Sequence, residues 1–173
     1  LIKLEDGGPI FYRQKRSGLF GKTLIINKLR TMQIEAEREG AQWAKKKDTR
    51  ITRVGGLLRR FRIDELPQLW SVLNGEMSLI GPRPERPELE VLLESKIANY
   101  SLRHWLRPGL SGWAQVCFTY GASLGDSRTK LSYDLYYLRN GNIFLDLLIL
   151  LKTIRLVCTA KGSAPTEQRS QAN

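Results

Sequence analysis

Between 8 and 32, apolar β-branched and aromatic residues flank a glycine-containing break at 17–22. That pattern predicts a β-hairpin. Side chains alternate faces along a strand, so Leu24, Ile26, Lys28 and Arg30 fall on one side of its second strand. The stretch 33–47 is charged throughout and reads as an exposed polar helix. In "VGGLLRRFRIDELPQLWSVLNG" two short helical patterns meet near Asp64. Leu66, Leu69, Trp70 and Leu73 are spaced for one apolar helix face, and Gly75 ends the run. "SLIGPRPERPE" is a loop pinned by prolines, followed by a helical stretch over 86–105. "LRPGLSGWAQVCF" reads as a turn and then a short strand. An amphipathic helix follows over 127–139, closed by Asn140 and Gly141, and then a strongly apolar one over 143–160. No repeat and no domain boundary interrupts the pattern. Residues 1–162 read as one domain, and 163–173 as a polar, disordered tail.

The apolar helix "IFLDLLILLKTIRLV" is too short to span a bilayer, and Asp146, Lys152 and Arg155 interrupt it. Two readings stand. It is a buried core helix, or it lies in a membrane interface with its apolar face down and its cations toward headgroups. The tyrosines of neighbouring "YDLYYL" suit the second reading.

Charge narrows the partners. The 173 residues carry 28 Lys and Arg against 17 acids, a formal net charge of +11. That surplus points to an anionic partner: nucleic acid, a phosphorylated small molecule or an anionic membrane surface. Cys117 and Cys158 lie far apart with no metal-like spacing, which suits a reduced, cytosol-facing location. Leu1 to Leu4 reads as the tail of something apolar, so the chain is expected to be a fragment of a longer protein.

Against this basic background, adjacent Asp64 and Glu65 stand out. One reading is a helix start, since Asp caps helices and Glu suits a first turn. If Asp64 is the cap, Pro67 at the third position offers no N–H, and only Leu66 can be bonded. The other reading is chemistry, with one carboxylate attacking or binding metal while the other handles a proton. Arg59, Arg60 and Arg62 precede the pair. Their charges are expected to lower the carboxylate pKa values and keep an aspartate ionised as a nucleophile. Lys28 and Arg30, two apart on one strand face, could grip one diphosphate or form a solvated hairpin edge. Arg83 between Pro82 and Pro84, and Arg107 before Pro108, sit on stiff backbone. Each is an incidental turn residue or a fixed arginine suited to bidentate phosphate binding. Asp134, on an otherwise apolar helix, needs a partner: an ion pair, or a substrate or metal. His104, the one histidine, reads as a packing residue.

"PIFYRQKRSG", "KLRTM", "RIDELPQLWSVLNGEMSLIGPRPERPE", "RPGLSGWAQV" and "YDLYYLRN…FLDLLILLKT" occur in that order over about residues 7–160. This ordered set resembles the bacterial sugar transferase family, the monotopic phosphoglycosyl transferases. "QVCFTYGAS" and "KTIRLVCTAKGSA" are similar to the subgroup associated with exosortase-type exopolysaccharide loci. Where other members carry Gly-Arg-Asn after "WAQV", this chain has "CFTYGAS".

The resemblance implies a compact, helix-rich mixed α/β domain with a small β-hairpin. It would lie on the cytoplasmic face of the bacterial inner membrane, with a re-entrant helix expected just before Leu1. It also implies transfer of a sugar 1-phosphate from a UDP-sugar to a polyprenyl phosphate, with Mg²⁺ as cofactor. Asp64 would be nucleophile and metal ligand, Glu65 its catalytic partner. Lys28, Arg30, Arg59, Arg83 and Arg107 are the candidate phosphate-binding cations, and Asp134 a possible support for substrate or metal. The competing classes are a nucleic-acid-binding module, which would bind DNA with steep salt dependence and release no UMP, and a non-catalytic membrane scaffold. The interleaved acids, proline-fixed loops and apolar final helix argue against nucleic acid as a partner.

Overall fold

A computed structural model describes residues 1–36, 48–118 and 123–159. Its framework is a hairpin of β1 (Phe11–Ser17) and β2 (Thr23–Leu29), paired antiparallel from Phe11↔Leu29 to Ser17↔Thr23. The alternation expected of the second strand holds: Leu24 and Ile26 are buried with Met77, and Val72 packs on them. A short helix α1 (Ile2–Asp6) precedes the hairpin.

After the hairpin come α2 (Arg53–Arg60), a 3₁₀ helix over Ile63–Gln68 and α3 (Leu69–Leu73). These are the two helical patterns expected near Asp64. Their apolar face is not core, however. Leu66, Leu69, Trp70 and Leu73 are all exposed, Leu73 to 77%. Helical spacing shows that side chains share a face but not what that face meets. The charged helix expected over 33–47 falls mainly on 37–47, outside the described residues, and 34–36 form a turn. The tail at 163–173 also lies outside them.

Strand β3 (Ser78–Ile80) pairs in parallel with β4 (Gly109–Ser111). Between them lie α4 (Pro87–Lys96) and a 3₁₀ helix over Tyr100–Trp105. The helix expected over 86–105 is therefore broken, and Asn99 at φ 61° makes the turn. The strand expected at "WAQV" is instead α5 (Trp113–Cys117), and the strand lies just before it. Gly112 sits so close to Gly81 that a Cβ there would be 2.1 Å from the Gly81 carbonyl oxygen. That backbone contact ends the strand. A short apolar run alone does not distinguish strand from helix.

Helices α6 (Leu124–Asn140) and α7 (Ile143–Cys158) complete the fold. Leu131 of α6 joins Leu93, Ile97 and Tyr100 in the second buried cluster. Ser123 and Asp126 form a capping box at the start of α6. On α7 only Ile149 is fully buried, while Ile143, Phe144, Leu147, Leu148, Leu150, Leu151 and Ile154 are exposed. This disposition is not that of a core helix. Among the described residues no helix is long and apolar enough to cross a membrane. The described residues form a mostly helical domain with two small two-stranded sheets.

Candidate active site

The chain enters the site through α2, whose first-turn amides are satisfied from two sides. The Thr52 hydroxyl accepts from the Gly55 amide at 3.0 Å. The Glu5 carboxylate, reaching over from α1, accepts from the amides of Arg53 at 2.8 Å and Val54 at 3.2 Å. Both complete donors that a helix start leaves open. At the other end Arg62 adopts the left-handed region at φ 57°, ψ 19°, uncommon for a residue with a side chain. The turn it makes lays the 3₁₀ helix against β2. Asp64 and Glu65 thereby face inward, 8% and 7% exposed despite their charge. Asp64 is not a helix cap: Arg62 holds that position, and Asp64 lies in the first turn.

The two neighbours receive opposite environments. Glu65 gathers the cations. Lys28 Nζ donates to its Oε1 at 3.0 Å, Arg62 Nη1 reaches Oε2 at 3.5 Å, and Arg83 bonds it through both terminal nitrogens. Burial pushes the Glu65 carboxyl up, but Arg83, Lys28 and Arg62 outweigh it and hold it well below its ordinary 4.5. Burial lowers the Lys28 ammonium from its ordinary 10.5, with Glu65 opposing.

Asp64 has no such support. Its Oδ1 is buried and accepts no hydrogen bond. Burial raises its pKa above the ordinary 3.8, and the Glu65 charge adds to the rise; Lys28, Arg59 and Arg83 oppose without reversing it. The expected depression of both carboxylates thus holds for Glu65 and is reversed for Asp64. Charge at contact distance wins against desolvation, whereas charge acting past a competing anion does not.

The remaining candidates separate. Arg59 donates from Nε to Thr31 Oγ1 at 2.8 Å, and its charge acts on Asp64. Arg107 is exposed beside the 81–86 loop, its carbonyl packed on Gly81. Arg30 does not join Lys28 in a shared grip. Its buried guanidinium holds both Asp6 oxygens at 2.5 Å and the carbonyls of Pro9 at 2.6 Å and Met32 at 3.1 Å. These are structural ties to the N-terminal segment. Asp134 is 2% exposed and pairs with Arg103 at 2.9 Å, the ion-pair alternative rather than a group open to substrate or metal. His104 packs against Glu90 at 2.9 Å.

Sequence reasoning did not single out Arg62 as a partner of Glu65, and it passed over Arg103. Arg103 was open to inference, because a buried Asp134 requires a partner of opposite charge. Arg62 was legible only as one of the arginines that precede the acidic pair.

The chemistry of the donor set bears on Mg²⁺. Among the described residues no group of three or more His, Cys, Asp or Glu could hold a metal. Mg²⁺ commonly takes one or two carboxylates and fills its octahedron with water and substrate phosphate oxygens. A buried carboxylate with an oxygen that no donor occupies fits that mode, and Asp64 is the residue that would hold the ion.

The family described as Bacterial sugar transferase matches residues 1–160. An Aeromonas hydrophila UDP-N-acetylgalactosamine-undecaprenyl-phosphate N-acetylgalactosaminephosphotransferase is 47% identical over 94% of this chain and 38% of its own length. A UDP-glucose:undecaprenyl-phosphate glucose-1-phosphate transferase of Xanthomonas campestris pv. campestris is 41% identical over 88% of this chain and 32% of its own. A putative undecaprenyl-phosphate N-acetylgalactosaminyl 1-phosphate transferase of Bacillus subtilis (strain 168) is 52% identical over 60% of this chain and 58% of its own. The chain spans less than two thirds of each of these relatives. With a family match that runs through the hairpin, the acidic pair and both final helices, the chain belongs to the bacterial sugar transferase family.

Proposed function

We propose that this chain is the catalytic part of a phosphoglycosyl transferase that moves a sugar 1-phosphate from a UDP-sugar to undecaprenyl phosphate and releases UMP. The observation that carries the reading is the asymmetry of the dyad: a buried Asp64 oxygen without a donor, beside a Glu65 that the cations occupy. A nucleophile needs a free lone pair, and its neighbour keeps Lys28 and Arg83 in place. The names carried by the Aeromonas and Xanthomonas relatives support the same substrates.

In this reading an Asp64 carboxylate oxygen attacks the β-phosphorus. The bond to the UMP oxygen breaks, and a phosphosugar-aspartate remains. An oxygen of the polyprenyl phosphate then attacks that phosphorus and frees Asp64. Each displacement brings two anions together, so Lys28, Arg59, Arg83 and Arg107 offset charge on the phosphates. Mg²⁺, held by Asp64 and the diphosphate, would supply further positive charge as a Lewis acid. Glu65 orients the cations beside the nucleophile. Incubation with a panel of UDP-sugars, Mg²⁺ and polyprenyl phosphate is expected to release UMP with one of them. No release from any would overturn the reading.

The raised Asp64 pKa gives the pH dependence a sign. Only the ionised carboxylate attacks, so the rate of adduct formation rises with pH, and its acidic limb lies above pH 3.8. Glu65→Gln removes the neighbouring negative charge that adds to the rise. The limb is expected to move to lower pH in that variant, even as the absolute rate falls. Quenched-flow pH profiles of both proteins check this; an unmoved or raised limb contradicts it.

The exposed apolar side chains of α7, with those of α3, suit a surface seated on the cytoplasmic face of the inner membrane, monotopic in the full protein. This would be the first membrane step of exopolysaccharide assembly. Liposome binding is expected to weaken with salt, because each Lys or Arg near anionic lipid contributes about 1 kcal/mol that salt screens. It is not expected to vanish, because apolar burial is not screened. Leu147 and Leu151, both exposed, are one turn apart on α7. Replacing both by Ser is expected to reduce partitioning roughly tenfold or more. Sedimentation with neutral and anionic vesicles measures it, and equal binding to both kinds counts against the electrostatic part.

A further inference from the structure

The loop that presents Arg83 is held from behind at four successive carbonyls. Pro82 O accepts from the Gly109 amide at 2.8 Å, and Arg83 O accepts from Arg103 Nη2 at 2.8 Å. Pro84 O accepts from Arg16 Nη1 at 3.1 Å, and Glu85 O from the Ser17 amide at 3.0 Å. With both flanking prolines fixing φ, the Arg83 side chain is left to face Glu65.

Of these donors only Arg103 is itself locked by a buried partner. Its Nη1 donates to the Tyr100 hydroxyl at 2.7 Å, and its Nη2 lies 2.9 Å from Asp134 Oδ2. Arg103 is 5% exposed. A buried ion pair is a poor source of net stability, because desolvation offsets the attraction. What it provides well is a fixed direction, and a guanidinium fork can hold several acceptors at once.

We propose that Asp134 and Arg103 are positioning residues for the transfer reaction: Asp134 on α6 orients Arg103, and Arg103 fixes the Arg83 backbone so that the Arg83 guanidinium meets Glu65 beside Asp64. Asp134 thus acts two residues away from the reacting groups and touches neither substrate nor metal. The kinetic consequence rests on the proposed transferase reading; the consequence for the loop does not.

Arg103→Lys is the test. A lysine keeps a cation against Asp134, but its single ammonium cannot reproduce the fork to Tyr100, Asp134 and the Arg83 carbonyl. Amide hydrogen exchange of the free protein is expected to accelerate about tenfold or more at Gly109 and Ser17, whose amides donate to the loop carbonyls of Pro82 and Glu85. Exchange in the cluster of Leu93, Ile97 and Leu131 is expected to stay near wild type. A merely structural role would accelerate both together.

The second readout is a double-mutant cycle on the rate of phosphosugar adduct formation. Arg103→Lys is expected to slow the wild type about tenfold, yet to slow Arg83→Ala less than about twofold, since its effect passes through Arg83. If Arg103→Lys shows no cooperative melt, the isosteric Asp134→Asn carries the same two readouts. Unchanged exchange at Gly109 and Ser17, or losses that multiply in the double variant, would overturn the proposal. A wild type that forms no adduct and releases no UMP defeats the transferase reading alone, and the exchange measurement still decides this one.

Discussion

Asp64→Asn is expected to leave a folded protein that forms no phosphosugar adduct and turns over at least on the order of 10⁴-fold more slowly, the scale seen when a covalent nucleophile is removed. The amide is nearly isosteric and uncharged. At Asp64 the native carboxylate is already penalised by burial and by Glu65. Its loss therefore does not weaken the fold through charge, and stability is expected to hold or rise above pH 3.8. That sign follows because a group whose folded pKa is raised destabilises the native state once it ionises.

Glu65→Gln is expected to behave differently. It removes the anion to which half-buried Lys28 and Arg83 are both drawn in the native protein. Turnover is expected to fall severely while adduct still accumulates on Asp64. Intact-mass measurement after exposure to UDP-sugar separates the two variants. An adduct in Asp64→Asn, or a wild-type adduct mapped to another residue, would remove Asp64 from its role.

Gly55→Ala is expected to destabilise the protein by at least the upper end of the roughly 1–3 kcal/mol typical of overpacking. Local reasoning gives the opposite sign. Gly55 lies inside α2, and Ala is favoured over Gly there by about 0.8–1.0 kcal/mol. In the fold, a Cβ at Gly55 would stand 2.1 Å from the Thr31 carbonyl oxygen. The obstacle is backbone, which no rotamer change removes. Helix α2 would have to lift from the end of the hairpin, disturbing the Thr52 amide bond to Thr31 at 3.1 Å and the Arg59 bond to its hydroxyl at 2.8 Å. Activity is expected to fall with stability, because α2 leads directly into Asp64. Chemical denaturation of the two proteins measures the difference; a variant as stable as wild type would mean that α2 does not sit so close.

The sequence by itself determined what is local. The hairpin follows from β-branched and aromatic residues on either side of a glycine-containing connection. The proline-fixed loop, the adjacent acids and the two final helices follow from residue type and spacing, and the ordered motifs carried the family. Tertiary structure decided the partners. Nothing near Glu65 in the chain shows that Lys28, 37 residues earlier, would take its carboxylate and leave Asp64 bare. Nothing near Arg30 shows that Asp6 would engage it instead of a phosphate. The apolar faces of α3 and α7 were legible as faces, yet their exposure was not. Periodicity records which side chains travel together, and only the packing of distant segments fixes what they meet. The same reason governs the pKa values: a carboxylate's charge state depends on desolvation and contact distance, which exist only once the chain has folded.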